Sequence, residues 1–314
     1  MLFFIATAAA QVTGHYHPED IQMQSEMFAE ASERLSGVFD QRSRDLRRFA
    51  IALNEYQEAL DLLGDRASEV ERTRLLELRR AYSKQESEVQ FVADGVIEDF
   101  DTAMVAAMQR AIEPFGDAQR CKARLQKGPQ LPGMPVKDEP NPECKGQNLN
   151  EAIAKAMDED TTLAKVVDEV LERPWPAIAM PDEPQPVLGE GATEWILVRD
   201  LMTTAAKPSL SDITRRDDER RQVIDAALEE EGELDIDALR TEVRRIEQQT
   251  ANARTALATP VIEMAEARLA KKVKEATIGW CANPRSFGGC AGTDATKARV
   301  SLLMEDRKFK KSLP

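Results

Sequence analysis

Apolar residues return every third or fourth position along most of this chain, the signature of amphipathic helices. From Ile21 to Leu63 the stripe is carried by Phe28, Leu35, Phe39, Leu46, Phe49, Leu53, Tyr56 and Leu60, and Gly64-Asp65 ends it. A second stripe follows through Leu75, Leu78, Tyr82, Val89, Val92, Val96 and Phe100. Late in the chain Ile236, Leu239, Val243, Ile246, Thr250, Ala253 and Leu257 alternate by three and four, the heptad seam of a coiled-coil-like hairpin. Val/Ile/Thr clustering is weak and glycine sparse, so the pattern places no strands.

The pattern also occurs twice. Leu78-Arg79-Arg80 with Val96-Ile97-Glu98 returns as Val243-Arg244-Arg245 with Val261-Ile262-Glu263, both at an offset of 165 positions. The turn glycine Gly64 is answered by Gly232 at an offset of 168, so the second copy is three residues shorter in the turn, where deletion is tolerated. Gly95 and Pro260 share one repeat position. Both weaken a helix, one by entropy and the other by removing a donor, which predicts a bend at that point of each long helix. Cys144 to Asn148 is matched by Cys290 to Asp294, and Asp160 or Asp306 lies sixteen residues after the cysteine. Asn148 and Asp294 read as N-caps of a short third helix running to about Glu172 or Lys311, with Leu163 and Phe309 at equivalent positions. In the second copy Trp195 to Leu201 begins the first helix, and Pro208, with Ser209 or Ser211 as cap, restarts it through Leu228.

The expected fold is therefore all-α: two duplicated, elongated helical-hairpin repeats of three helices, each clipped by a local disulfide. The expected boundaries are 1–17 for an apolar start and polar tail, 18–172 for the first repeat, 173–193 for a Pro-rich linker and 194–314 for the second repeat. Trp175, Ile178 and Met180 give the linker something to pack with.

Composition adds a compartment. A length of 314 residues fits two domains, and 31% charged with 5% aromatic residues fits long solvated helices. A net charge of −14 argues against phosphate-backbone binding and against anionic lipid surfaces. Met1 to Ala10 is almost wholly apolar and ends in three alanines, as a signal peptide does, although it is short and lacks a basic start. The alternative is a short apolar helix packed on the body. No other segment approaches the ~18 apolar residues of a membrane span, so a soluble mature protein is expected. The four cysteines fall as two local pairs, Cys121 with Cys144 and Cys281 with Cys290, each between one long helix and the next. That placement predicts two disulfides in an oxidising compartment, periplasmic or extracellular, contributing roughly 3 kcal/mol each in the loop-closure model.

Candidate chemistry is thin. His15 and His17 are the only histidines, which removes the Glu-x-x-His pairs of a di-iron bundle and any His-dependent nucleophile. No Walker-type phosphate loop is present, and Ser286-Phe287-Gly288-Gly289 is too generic to serve as one. His15-Tyr16-His17 can hold copper or nickel only as a mature N-terminus, and a polar tail is the simpler reading. Glu98 with Glu263 and Glu159 with Glu305 recur, as helix-surface or capping carboxylates. The twin arginines at 79–80 and 244–245 pair with neighbouring acids. No cofactor or metal is expected. The expected function is a non-enzymatic secreted or periplasmic scaffold that binds another protein. A helical pore-forming or membrane-perturbing toxin component, with Met104 to Met108 and the N-terminal run as its concealed apolar segments, both too short to span, is the alternative, and a carboxylate-dependent hydrolase the second.

Overall fold

A computed structural model describes residues 14–116, 118–121, 146–229, 236–274 and 276–314. The described chain is mostly helical, as the apolar periodicity predicts. By internal contacts it divides into two units, one holding residues up to Arg44 with Glu86–Ala177, the other Asp45–Gln85 with Ile178–Pro314. The sequence reading runs the first copy unbroken from 18 to 172; the hairpin tip, 45–85, instead groups with the second unit.

Unit 1 opens on strand β1 (Gly14–Tyr16), where the sequence suggested a polar tail. Helix α1 (Pro18–Gln24) follows, then α2 (Glu26–Leu63), which the stripe had joined into one. The break is Ser25: its hydroxyl donates to Asp158 Oδ1 at 2.6 Å and accepts from the N–H of Phe28, while the N–H groups of Glu26 and Met27 also reach Asp158. Helix α3 (Glu69–Ile112) starts at a reciprocal cap, with the Glu71 carboxylate accepting from Ser68 N–H at 2.9 Å and the Ser68 hydroxyl accepting from Glu71 N–H. Strands β2 (Gln119–Arg120) and β3 (Gln147–Asn148) flank β1 in a parallel sheet of order β2-β1-β3, and α4 (Asn150–Asp158) and α5 (Thr161–Leu171) close the unit. Its core gathers Ile21, Val96, Met104, Ile153, Met157 and Leu163, all 1% exposed or less. Trp175 packs against it, edge-on to Phe39.

Unit 2 has the same order of parts. Strand β4 (Glu194–Leu197) leads into α6 (Val198–Ala205), α7 (Lys207–Glu229) and α8 (Ile236–Lys272), followed by β5 (Ile278–Cys281), β6 (Thr293–Asp294), α9 (Thr296–Glu305) and α10 (Arg307–Lys311). Its sheet is again parallel with the first strand central, β5-β4-β6. Trp195 to Leu197 are thus strand rather than helix start, and Pro208 stands just inside α7 with neither serine capping it. Ile178 and Met180 pack on this core. The turn glycine Gly64 has φ of +56°, and a Cβ there would lie 2.5 Å from the Thr255 methyl, so both the turn and the close approach of α8 demand glycine. Gly232 lies outside the described residues.

Two refinements concern the seam and the bend. Ile246 and Thr250 are buried, but Ala253 is exposed and the stripe passes to Ala258, Val261, Ile262, Ala265 and Leu269. A straight α-helix drifts by about 20° per heptad against a 3.5-residue repeat, so the coiled-coil register does not persist. Gly95 and Pro260 both lie inside uninterrupted helices. Gly95 also makes room: a Cβ there would sit 3.3 Å from the guanidinium of Arg173, which pairs with Asp99. Because that guanidinium is the end of a flexible side chain, Gly95→Ala is expected to stabilise unit 1 by about 0.5–1 kcal/mol through helix propensity. A lowered urea midpoint would show instead that the Arg173 contact or a bend sets the residue there.

Candidate functional site

The recurring polar residues lock the strands to the helices that follow them. In unit 1 the N–H of Leu149 donates to the carbonyl of His15 at 2.9 Å, and the N–H of Ala295 does the same to Trp195 at 3.0 Å in unit 2. Asn150 Oδ1 accepts from His17 N–H at 2.8 Å where Thr296 Oγ1 accepts from Leu197 N–H at 2.9 Å. Asn148 and Asp294, the expected caps, each accept the N–H two residues on and so belong to the turn entering the helix, one residue before the observed cap positions Leu149 and Ala295. The expected third helix is two helices in each unit, divided at the recurring aspartate. Asp160 caps α5 through the N–H groups of Thr162 and Leu163; Asp306 caps α10 through those of Lys308 and Phe309. Each aspartate also takes an arginine from the preceding long helix, Arg110 at 2.7 Å and Arg268 at 2.6 Å.

These contacts fix the carboxyl groups' acidity. The Arg268 guanidinium, then the Phe309 N–H and Lys272, hold Asp306 far below the ordinary carboxylate range. Burial raises Asp160 and Asp294, but their backbone and arginine donors outweigh it and leave both lowered. Asp61 and Glu71 are the opposite case, pushed up by burial that their donors only partly offset. The first group adds stability that is present above about pH 4 and lost as pH falls through the lower folded pKa values. Asp61 and Glu71 add stability that is present below about pH 4 and lost as pH rises through their higher folded values. Tm should therefore rise as pH is lowered from neutral towards about 4 and fall below it. A thermal-melt series that rises monotonically with pH would contradict this, and Asp61→Asn should flatten the upper limb.

The cysteine expectation holds at one end. Cys281 and Cys290 form a disulfide nine residues apart, around a turn in which Asn283 Nδ2 donates to the carbonyls of Phe287 and Gly289. Phe287 in that turn, read as generic loop, is fully buried. Cys121 is buried and no described cysteine is free; Cys144, the apolar start and most of the Pro-rich loop lie outside the described residues. Among the described residues no group of three His, Cys, Asp or Glu is arranged to hold a metal. Arg79 donates to Gln57 and Arg245 grips Glu242, while Glu98, Glu159, Glu263 and Glu305 are all exposed.

Two surface features can receive another molecule. A shallow groove of about 170 Å³ runs between α2 and α5, floored by Met27, Ala31, Val167 and Leu171 with Glu30 and Arg34 on its edge. This is below the ~300–1,000 Å³ of a small-molecule site. The outer face of α3 is more pronounced. Phe91 is 80% exposed, Val105 54% and Ile97 47%, opposite the buried stripe of Val89, Ala93, Val96, Phe100 and Met104. Between Glu86 and Gln109 the helix has six carboxylates and neither lysine nor arginine. Asp94 receives only the amide of Gln90, and Glu98 and Asp101 have no described partner. By contrast α7 is laced with pairs such as Arg215 with Asp212 and Glu219, and Arg221 with Asp217. Like charges at i,i+4, here Asp94 with Glu98, destabilise an isolated helix by about 0.2–0.5 kcal/mol. The sequence reading followed the buried side of this helix and missed Phe91; the signal available was the 24-residue stretch without a cation.

No protein-family model, no curated protein and no solved structure matches the chain.

Proposed function

We propose that this protein is a tandem duplication of one helical unit serving as a non-enzymatic scaffold that binds other proteins in the periplasm or outside the cell. The observation carrying this reading is the outer face of α3, where Phe91, Ile97 and Val105 stand in solvent beside Asp94, Glu98 and Asp101. Exposed apolar groups rimmed by polar residues on one side of a helix are candidates for an interaction site. The duplication draws support from the shared strand order and the paired contacts of His15 with Trp195, Asp160 with Asp306 and Arg110 with Arg268. The recurring polar residues are engaged in architecture, so a binding role suits them better than a reaction. The Cys281–Cys290 disulfide fits an oxidising compartment.

The membrane-perturbing reading rested on Met104 to Met108 and on the N-terminal run; Met104, Ala107 and Met108 are packed in the core of unit 1, and the N-terminal run lies outside the described residues. Among the described residues no helix is long and apolar enough to cross a membrane. Cross-linking in the native host tests the scaffold reading. A specific, saturable partner is expected, whereas protein found only free and monomeric would overturn it.

A further inference from the structure

We infer that the outer face of α3 in unit 1 docks a basic amphipathic helix of a partner protein; this rests on the scaffold reading and gives that scaffold's partner a chemistry. Phe91, Asp94, Glu98, Asp101 and Val105 follow one another by three, four, three and four residues, so they line a single face of the helix. The two apolar residues bracket the three carboxylates. Ile97 stands beside the stripe and widens its apolar part. Fourteen residues at 1.5 Å each separate Phe91 from Val105 by about 21 Å.

The complement is a helix of at least about four turns with two apolar side chains fourteen residues apart and lysines or arginines between them. Such a helix covers Phe91 and Val105 and supplies the cations that residues 86–109 lack. A second copy of this chain offers a worse match, since its own face carries the same carboxylates and the whole protein has a net charge of −14. An anionic lipid surface is repelled for the same reason.

The test uses the full-length protein and a synthetic 18-residue helical peptide with leucines at positions 2 and 16 and Lys/Arg on the same face between them. Binding is followed by fluorescence anisotropy. The peptide should bind saturably, and more weakly as ionic strength rises past ~0.15 M. Phe91→Ala should weaken it by about tenfold or more, as loss of an aromatic anchor does. Glu98→Lys combined with Asp101→Lys should weaken it on the order of a hundredfold. All these positions face solvent, and unchanged circular dichroism confirms that the variants fold. Equal binding of a peptide with Glu in place of Lys/Arg would overturn the inference, as would indifference to Phe91→Ala. Self-association abolished by Phe91→Ala, or capture of anionic vesicles through this face, would overturn it in favour of the other occupant. If the peptide fails while native cross-linking recovers a partner elsewhere, this inference falls alone; if both fail, the scaffold reading falls with it.

Discussion

Phe287→Ala is expected to destabilise unit 2 by about 3–5 kcal/mol, the range for emptying a buried aromatic site. The ring is fully buried and meets Phe49 edge-to-face at 5.5 Å; Phe49 in turn meets Tyr82 at 5.5 Å. The cavity has little chance to collapse, because the turn carrying Phe287 is tied on several sides. The Cys281–Cys290 disulfide closes it, and Asn283 donates to the carbonyls of Phe287 and Gly289 at 2.8 and 2.6 Å. Natural domains are stable by only ~5–15 kcal/mol, so this one ring accounts for a large fraction. Phe287→Leu keeps most of the volume and should cost clearly less. Urea unfolding of the oxidised protein, followed by tryptophan fluorescence, measures both. A loss below about 1 kcal/mol for the alanine variant would mean that the turn is dispensable to the core.

The second large effect concerns Asp61 and Arg254. Arg254 Nη1 donates to Asp61 at 2.9 Å, Gln57 donates to the same carboxylate at 2.6 Å, and both ionic side chains are largely buried, 14% and 9% exposed for arginine and aspartate. Burial outweighs these donors and leaves the Asp61 carboxyl above its ordinary range, so the pair is tolerated rather than strongly favourable. Removing one partner should therefore hurt more than removing both. Arg254→Ala leaves a buried carboxylate uncompensated and is expected to cost about 3–5 kcal/mol. Asp61→Leu with Arg254→Met should recover most of that loss. Equal destabilisation in the single and double variants would show that packing, not charge, dominates at this point.

What the sequence revealed was whatever has a local period or a local pair. The long helices, their turn at Gly64, the equivalent positions of Leu163 and Phe309 and the Cys281–Cys290 pairing were all readable from spacing. The strands were not. Two to four residues carry no alternation, and the partners of β1 lie more than a hundred positions away, so His15 and Trp195 looked like a tail and a helix start. Asp160 and Asp306 were visible as recurrences, but their double task of capping a helix and holding an arginine appears only when α3 and α8 are in place. Phe287 sat in a segment too short for a pattern. Phe91 was missed because a stripe is normally sought on the side that becomes core.

The central position of β1 has a consequence of timing. Its neighbours on either side are Gln119–Arg120 and Gln147–Asn148, so the earliest described residues of the chain cannot find their places until about 130 further residues have left the ribosome. The helices between them can wind at once from bonds within each helix, whereas closing the sheet must wait for the largest loop in the unit. During synthesis the first strand is then a loose end, exposed to whatever binds nascent chains. The last step in assembling unit 1 is the capture of its own beginning.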